Sequence, residues 1–415
     1  MNWWNSVKYI ISETMPKKKT MKRRERLWQP YLPKHVANPY PMYDRIRESG
    51  SLHQDLTGSW IATHYESVRF ILTDERFRSN VPNHQFGDSA EFADEVMNAW
   101  ILLWEGQVHK RLRGIATKVI DWSGIESMVQ EVVDDNLNAL QDRTSLDAVK
   151  DIALLTPTHI ITRILGLPVE DAPRCKVWAG ELFYVINPYI TPQKWKRVVQ
   201  NAREFTHYLD AMIDQCTREN PNSAIVRLLT TPDDDGNYMD RKEVISFIIF
   251  LYTSGEETVV NFIGNAIYAL LQRPEQMQIL RDDLNLINIA TEELLRFDSS
   301  LQYSVRFAKT DTELDGNKIK EGDMIIPVVG AANHDPEVFS NPMEINFNRK
   351  KYNHLTFGVG RHYCFGARLA RIEARAVIKG FVEKLSHFHP DPNQKAIYNP
   401  NIMLRGFKKL PLVAV

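Results

Sequence analysis

A lone cysteine stands in the run Phe357-Gly358-Val359-Gly360-Arg361-His362-Tyr363-Cys364-Phe365-Gly366, just ahead of a helical stretch from Ala367 to Leu385. A thiol at a helix start is favoured as its thiolate, because the positive end of the dipole and unpaired backbone N–H groups point at the sulfur. Glycines beside it let the main chain come close to whatever the sulfur binds. A cysteine near a helix start is by itself more often a small buried hydrophobe, so the chemistry rests on the whole string. Two competing sites are excluded: Gly358-Val359-Gly360 lacks the third glycine of a dinucleotide loop, and no second cysteine supplies a zinc pair. A second reactive cluster is Thr253-Ser254-Gly255-Glu256-Glu257-Thr258, polar where the middle of a buried helix should be apolar. A hydroxyl beside a carboxylate can relay protons.

The elements that position these groups follow from periodicity and punctuation. Asp240 is an N-cap, Val244, Phe247, Ile248 and Leu251 keep helical spacing, and Pro274 ends the pattern, predicting a helix from Asp240 to Gln272. At that length it spans roughly 50 Å, enough to cross a domain. Alternation about Thr57-Gly58 over residues 51 to 63 predicts a hairpin, and a second cluster of strands surrounds Asp315-Gly316 up to Val329. Nearly everything else reads helical. With no internal repeat, low-complexity tract or Gly/Ser linker after residue 30, residues 31–415 are expected to form one mainly α domain with small β-sheets.

The pattern Phe-x-x-Gly-x-x-x-Cys-x-Gly, carried by Phe357, Gly360, Cys364 and Gly366, resembles the haem-ligand signature of the cytochrome P450 family, and the resemblance extends over nearly the whole chain. It implies the helix-rich P450 fold with its long central I helix, heme b (iron protoporphyrin IX) as cofactor, and Cys364 as the iron ligand, with Phe357 and Gly366 beside the cofactor. Glu293-Leu294-Leu295-Arg296 is similar to the Glu-x-x-Arg of the family's K helix, which implies a structural triad with Arg349. Taken alone, Glu293 and Arg296 would be an ordinary surface pair worth a few tenths of a kcal/mol. By the same resemblance His109, Arg113, Arg306 and His362 hold the haem propionates, a task suited to cations and above all to the planar fork of arginine. Ala331-Ala332-Asn333-His334-Asp335-Pro336 matches a family stretch except that histidine replaces the usual arginine, which weakens one local salt-bridge assignment. Ser254 to Thr258 looks like the oxygen-activation motif of the I helix, so Glu257 and Thr258 are the expected proton relay and Gly255 an expected local opening. Glu256 receives no role. A thiolate ligand pushes electron density to the iron and favours O–O cleavage.

Specificity in such a scaffold lies in its loops. The resemblance implies a pocket lined by Phe86, Trp100, Leu103, Ile248, Leu251, the stretch Leu301 to Ser304 including Tyr303, and Ile402, which suits an apolar small molecule, expected in secondary metabolite biosynthesis. Because the match consumes the chain, electrons are expected from a separate ferredoxin or flavodoxin with its NAD(P)H reductase, docking on Lys110, Arg111, Lys118, Arg361, Arg368 and Arg371. A formal net charge of -1, from 51 basic and 52 acidic residues, offers no field for nucleic acid. Three cysteines without a Cys-x-x-Cys pair fit a reducing cytoplasm, and no apolar run reaches membrane-spanning length. Residues 1–30 are expected to form a flexible basic extension. The alternative is a membrane-touching segment, since Trp3, Trp4, Val7, Ile10 and Ile11 precede Lys17, Lys18, Lys19, Lys22, Arg23, Arg24 and Arg26. A monomer is expected. Two other functions fit the same fold: a peroxygenase or redox-neutral isomerase, against which the Glu257-Thr258 pair counts, and a haem-binding sensor, for which the chain supplies no output module.

Overall fold

A computed structural model describes residues 27–79, 96–182, 192–349 and 352–415. Residues 1–26 of the expected basic extension and the pocket candidate Phe86 lie outside the described residues. The chain divides into two compact units. One combines the stretch ending at Arg78 with Leu137–Ala153 and Thr258–Val415, and the other combines Ser79–Asn136 with Leu154–Glu257. The helices used below are α1 (Tyr40–Glu48), α2 (Tyr65–Thr73), α3 (Gly106–Val119), α4 (Leu155–Leu165), α5 (Ala172–Leu182), α6 (Pro192–Glu219), α7 (Arg241–Leu271), α8 (Ile287–Phe297) and α9 (Ala367–Lys384).

The first unit is organised by a five-stranded sheet of order β1-β2-β8-β5-β3, where β1 is Leu52–Gln54, β2 Trp60–Ala62, β3 Phe77–Arg78, β5 Arg306–Ala308 and β8 Met324–Pro327. The expected hairpin is β1-β2, antiparallel with His53 opposite Ile61. Its turn follows from local chemistry: the Asp55 carboxylate accepts the Thr57 and Ser59 N–H groups at 2.8 and 3.0 Å, and Gly58 takes a positive φ of 88°. The second expected turn joins β6 (Thr312–Leu314) to β7 (Asn317–Ile319), with Asp315 and Gly316 both at positive φ, as a tight primed turn demands. Beneath the sheet, Val68, Ile71 and Leu72 of α2 pack with Phe77, Ala308, Ile325 and Leu355 in one apolar cluster. β5 thereby carries Arg306 into a buried position.

Strands also occur where the sequence was read as helical. β4 (Ser145–Asp147), β12 (Pro411–Ala414) and β9 (Phe388–Pro390) form a three-stranded sheet, and β10 (Ile397–Tyr398) pairs with β11 (Phe407–Lys409). Each is two to four residues long, too short for period-two alternation to show.

The second unit is helical, and its central element is α7, predicted from Asp240 to Gln272 and observed over Arg241–Leu271. Its start is a reciprocal capping box: the Asp240 carboxylate accepts the Glu243 N–H at 2.8 Å, and the Glu243 carboxylate accepts the Asp240 N–H at 3.0 Å. Pro274 opens the following helix. The helix runs unbroken through Gly255, where an added Cβ would sit 3.5 Å from Ile161 Cδ1 of α4. Residues of α7 up to Glu257 belong to this unit, and those from Thr258 belong to the first. Among the described residues no helix is long and apolar enough to cross a membrane.

One buried carboxyl group in the first unit sets a pH dependence. Glu373 on α9 is fully buried, one carboxylate oxygen has no hydrogen-bond partner among the described residues, and burial pushes its carboxyl up to about 8. The folded chain thus holds a proton that the unfolded chain releases near the ordinary value of 4.5, so this residue makes stability fall as pH rises from 4.5 toward 8. Glu373→Gln should remove that slope. Thermal unfolding of both proteins between pH 5 and pH 9 should show the variant gaining on the wild type as pH rises, and parallel curves would contradict the assignment.

Candidate active site

The cysteine loop is built by its own backbone. Gly358 and Gly360 adopt positive φ of 69° and 77°, and an added Cβ at Gly360 would press to 3.2 Å against Thr73 of α2. The Cys364 N–H donates to the Phe357 carbonyl at 2.8 Å, the Tyr363 N–H to Gly360 at 3.0 Å, and the Ala367 N–H to the Cys364 carbonyl at 3.3 Å. Arg361 fastens the loop to the sheet through the Phe77 carbonyl at 3.1 Å. The loop thus delivers Cys364, exposed, to the N-terminus of α9, whose capping position is Gly366 without a side-chain cap. Cys175 and Cys216 are buried, and burial raises both thiols, Cys175 to about 11. Of the three cysteines only Cys364 has the exposure and helix-terminal setting of a thiolate ligand.

Behind the loop, α8 presents two successive glutamates to two different arginine systems. Glu293 and Arg296 are fully buried; Arg296 forks onto the carboxylate at 2.8 and 2.9 Å, and Arg349 joins the same carboxylate at 2.8 Å. Remaining guanidinium protons go to main-chain carbonyls: Arg296 to Asn333 and Pro342, each at 2.9 Å, and Arg349 to Ser340 at 2.7 Å. The isolated reading of Glu293 and Arg296 as a surface pair is thereby corrected, since neither touches water. Glu292 instead binds Arg371 of α9 through two bonds of 2.6 and 3.0 Å and His354 at 3.1 Å. Burial works against its charge, but the bonds from His354 and Arg371 win and hold the carboxyl at about 2. His334, where the family usually has arginine, is neutral: burial and the nearby Arg296 charge press its pKa down to about 3. Its Nε2 lies 2.7 Å from the Phe297 carbonyl and its ring 4.2 Å from Tyr40. A ring hydrogen bond therefore stands in place of the doubtful salt bridge.

In the second unit, His109 and Arg113 lie one turn apart on α3, hence on one face. His109 is buried and Arg113 half-buried. Trp104, in the segment entering α3, has an indole N–H that is buried without a hydrogen-bond partner among the described residues. Sequence reasoning passed over this residue; the legible signal was an indole donor five positions before His109. On α7 the paired glutamates separate by 100° of helix turn. Glu256 is buried beside Lys176 of α5 at 3.4 Å, with burial raising its carboxyl against the lysine's pull, while Glu257 and Thr258 stay half-buried. The glutamate left without a role is thus a partner of α5.

The pocket candidates divide between the units. Trp100 is buried 5.9 Å from the Phe250 ring, and its loop is pinned to α7 by Ser246, which accepts the Ala99 N–H at 3.0 Å and donates to Val96 at 2.7 Å. Ile248 is fully buried, whereas Leu103 and Leu251 are half-buried. In the first unit Leu301 bridges Leu404, Tyr303 is buried edge-on to Trp28 at 5.7 Å, and Ile402 is half-buried. The stretch around Ile402 is tightly tied. Asn401 accepts the Met403 and Leu404 N–H groups, the Asn399 N–H donates to Gly406, and Arg405 pairs with buried Asp298 at 2.6 Å.

The expected docking cations are not all available. Arg111 is paired with Glu243, Lys118 with Asp234 at 2.8 Å, and Arg371 with Glu292. These three carboxylates, invisible at a distance in sequence, pair half of the expected cations, Lys118 only through a surface contact. Lys110 and Arg368 are exposed and Arg361 is committed partly to carbonyls.

The donors present in each unit are of the kinds a haem uses: in the first, the exposed helix-terminal thiol of Cys364 and the Arg306 guanidinium, and in the second, the Arg113 guanidinium and the orphaned Trp104 N–H.

Comparison with known proteins gives the same assignment. The family model for cytochrome P450 matches residues 51–411. The chain is 30% identical over 388 residues to cytochrome P450 monooxygenase PikC of Streptomyces venezuelae, covering 91% of each, and 30% identical over 386 residues to the biotin biosynthesis cytochrome P450 of Bacillus subtilis, covering 91% of this chain and 96% of that one. Among solved structures, P450BioI in complex with a hexadec-9Z-enoic acid-ligated acyl carrier protein superposes with a TM-score of 0.85 at 28% identity, covering 92% of this chain and all of the other. The polyketide synthase cytochrome P450 PksS of Bacillus subtilis gives 0.84 at 27%, covering 93% and 99%.

Replacing Glu293 by glutamine should leave two buried guanidiniums without a counter-ion and cost about 3–5 kcal/mol. Urea unfolding of the variant checks this; a loss below about 1 kcal/mol, the scale of an exposed pair, would contradict it.

Proposed function

The chain belongs to the cytochrome P450 family, and on that premise we propose that it oxidises an apolar small molecule of secondary metabolism with electrons from a separate ferredoxin or flavodoxin and its NAD(P)H reductase. It is a monooxygenase whose cofactor is heme b. One observation carries the site assignment: Cys364 is exposed at the start of α9, in a loop closed by the Phe357 carbonyl.

Bound haem supplies dioxygen binding and electron acceptance; the chain supplies the rest. Cys364 offers its sulfur as the metal ligand, with the α9 dipole favouring the ionised form. Phe357 and Gly366 flank that ligand. His109, Arg113, Arg306 and His362 would hold the propionate oxygens. Glu257 takes a proton from solvent and passes it to the Thr258 hydroxyl, which donates it toward the reacting oxygen. Two electrons and two protons consume one dioxygen, leaving hydroxylated product and water. Glu293, Arg296 and Arg349 act only by holding the scaffold. Trp100, Leu103, Ile248, Leu251, Leu301, Tyr303 and Ile402 are proposed to line the substrate space, and residues 31–415 to work as one haem domain. A reductant is proposed to dock on basic residues that include the exposed Lys110 and Arg368. Similarity to PksS, named for polyketide biosynthesis, supports the metabolic setting. Similarity to P450BioI supports a second reading, in which the substrate arrives tethered to a carrier protein. Spectral titration with a free acid and with the same acyl group on a carrier protein separates the two.

The carbon monoxide difference spectrum of the dithionite-reduced protein tests the reading. A long-wavelength Soret band typical of thiolate-ligated haem is expected, and Cys364→Ala should abolish it; a histidine-type band unchanged by the substitution would overturn the assignment. Thr258→Ala should lose most reductant-driven product, by about 10²-fold for a lost proton-transfer group, while retaining peroxide-driven product. Equal loss along both routes would remove Thr258 from the relay.

A further inference from the structure

Arg371 makes four kinds of contact at once. Its guanidinium is gripped by the Glu292 carboxylate through two parallel bonds, 2.6 Å from Nε and 3.0 Å from Nη2. Its Cζ lies 4.3 Å from the centre of the Phe357 ring. Nη1 donates to the Tyr363 hydroxyl at 3.1 Å and to the Ala367 carbonyl at 3.3 Å. One cation therefore touches the residue seven before Cys364, the residue just before it and the residue three after it. Phe357 is also the residue whose carbonyl receives the Cys364 N–H. The ring under the guanidinium and the carbonyl that fixes the cysteine belong to one residue, so movement of the ring is transmitted directly to the sulfur-bearing main chain.

The grip is oriented from outside the loop. Glu292 comes from α8, and its second oxygen is shared with His354 at 3.1 Å, whose ring lies 6.1 Å from the Phe357 ring. A bidentate carboxylate fixes the plane of a guanidinium as well as its position, and so holds this cation over the Phe357 ring. Because neighbouring Glu293 is locked in the buried triad, α8 cannot rotate to relax Glu292 without breaking that triad.

We infer that Arg371, oriented by Glu292, is a positioning residue that clamps Phe357 and Tyr363 and so holds Cys364 in the geometry needed for thiolate ligation. The inference deepens the reading of Cys364 as the haem ligand and rests on it. Arg371 is then a loop clamp rather than part of a docking surface for a redox partner.

The test uses the haem-loaded full chain and two mild substitutions, Arg371→Lys, which keeps the charge but loses the planar fork and its place over the Phe357 ring, and Glu292→Gln, which keeps the shape but loses the carboxylate. The readout is the rate at which the ferrous-carbon monoxide band of the thiolate form decays to the short-wavelength form, measured beside the thermal midpoint. Both variants should bind haem and show the thiolate band at first, and that band should decay about tenfold faster, with the midpoint little changed. The double variant should decay no faster than the worse single one, because both substitutions release one clamp. Decay at the wild-type rate, or decay accelerated only in step with a lowered midpoint, overturns the inference while leaving Cys364 as ligand. A wild-type protein that never shows the thiolate band overturns the functional reading itself.

Discussion

A single carboxylate withdrawn from water organises much of the first unit. Glu293 satisfies two guanidiniums, and those guanidiniums in turn collect main-chain carbonyls from residues 333 to 344, a segment that has no regular structure of its own beyond short turns. Buried charges of this kind give little net stability over an apolar replacement, but removing one member leaves the others stranded. Their effect is to specify one arrangement. The meander before the cysteine loop has few apolar side chains to hold it, and the triad substitutes charge-assisted bonds to its carbonyls.

The same economy recurs next to the triad. Asn333 donates to Ser299 and Thr356 at 2.8 and 3.0 Å and accepts the Leu355 N–H at 2.7 Å, tying the segment just after α8 to the extended stretch entering the cysteine loop. Thr356, one residue before Phe357, also donates to the Leu295 carbonyl at 2.8 Å. From α8, then, a buried polar network reaches the loop on one side and the Glu292–Arg371 pair reaches it on the other. The sulfur is held by two distant parts of the chain, the loop with the helix that follows it and the helix α8 behind them. Such networks are worth more than the sum of their pairs because each bond orients the next.

What could be read in the sequence was what local chemistry dictates. Asp240, Glu243 and Pro274 bound α7 because capping and proline act within a few residues, and Asp55-Gly58 and Asp315-Gly316 mark turns for the same reason. The cysteine loop was legible because its glycines and its cysteine carry their meaning in spacing. Strands β9 to β12 were not, since two to four residues carry no period. Partnerships across the chain were equally hidden. Arg371 and Glu292 are 79 residues apart, Arg111 and Glu243 are 132 apart, and nothing local distinguishes their charges from solvated ones. That is why a row of cations resembling an open patch contained three already neutralised. Glu256 and Glu257 show the same limit at the shortest range: identical neighbours on one helix, separated only by which flank α5 covers.

The tie-down around Ile402 bears on how this enzyme can be altered. Between Asn399 and Gly406 the main chain is fixed by its own Asn401 cap, by the bond of Asn399 to Gly406, by Arg405 N–H donating to Ser300 at 2.7 Å and by the Arg405 side chain reaching the Val36 and Ala37 carbonyls. None of these bonds uses the Ile402 side chain. Backbone and side chain are decoupled there, so a combinatorial library at position 402 would sample side-chain volume and polarity on an unchanging frame. Diversity introduced at Asn401 or Arg405 would instead be spent on rebuilding the frame itself.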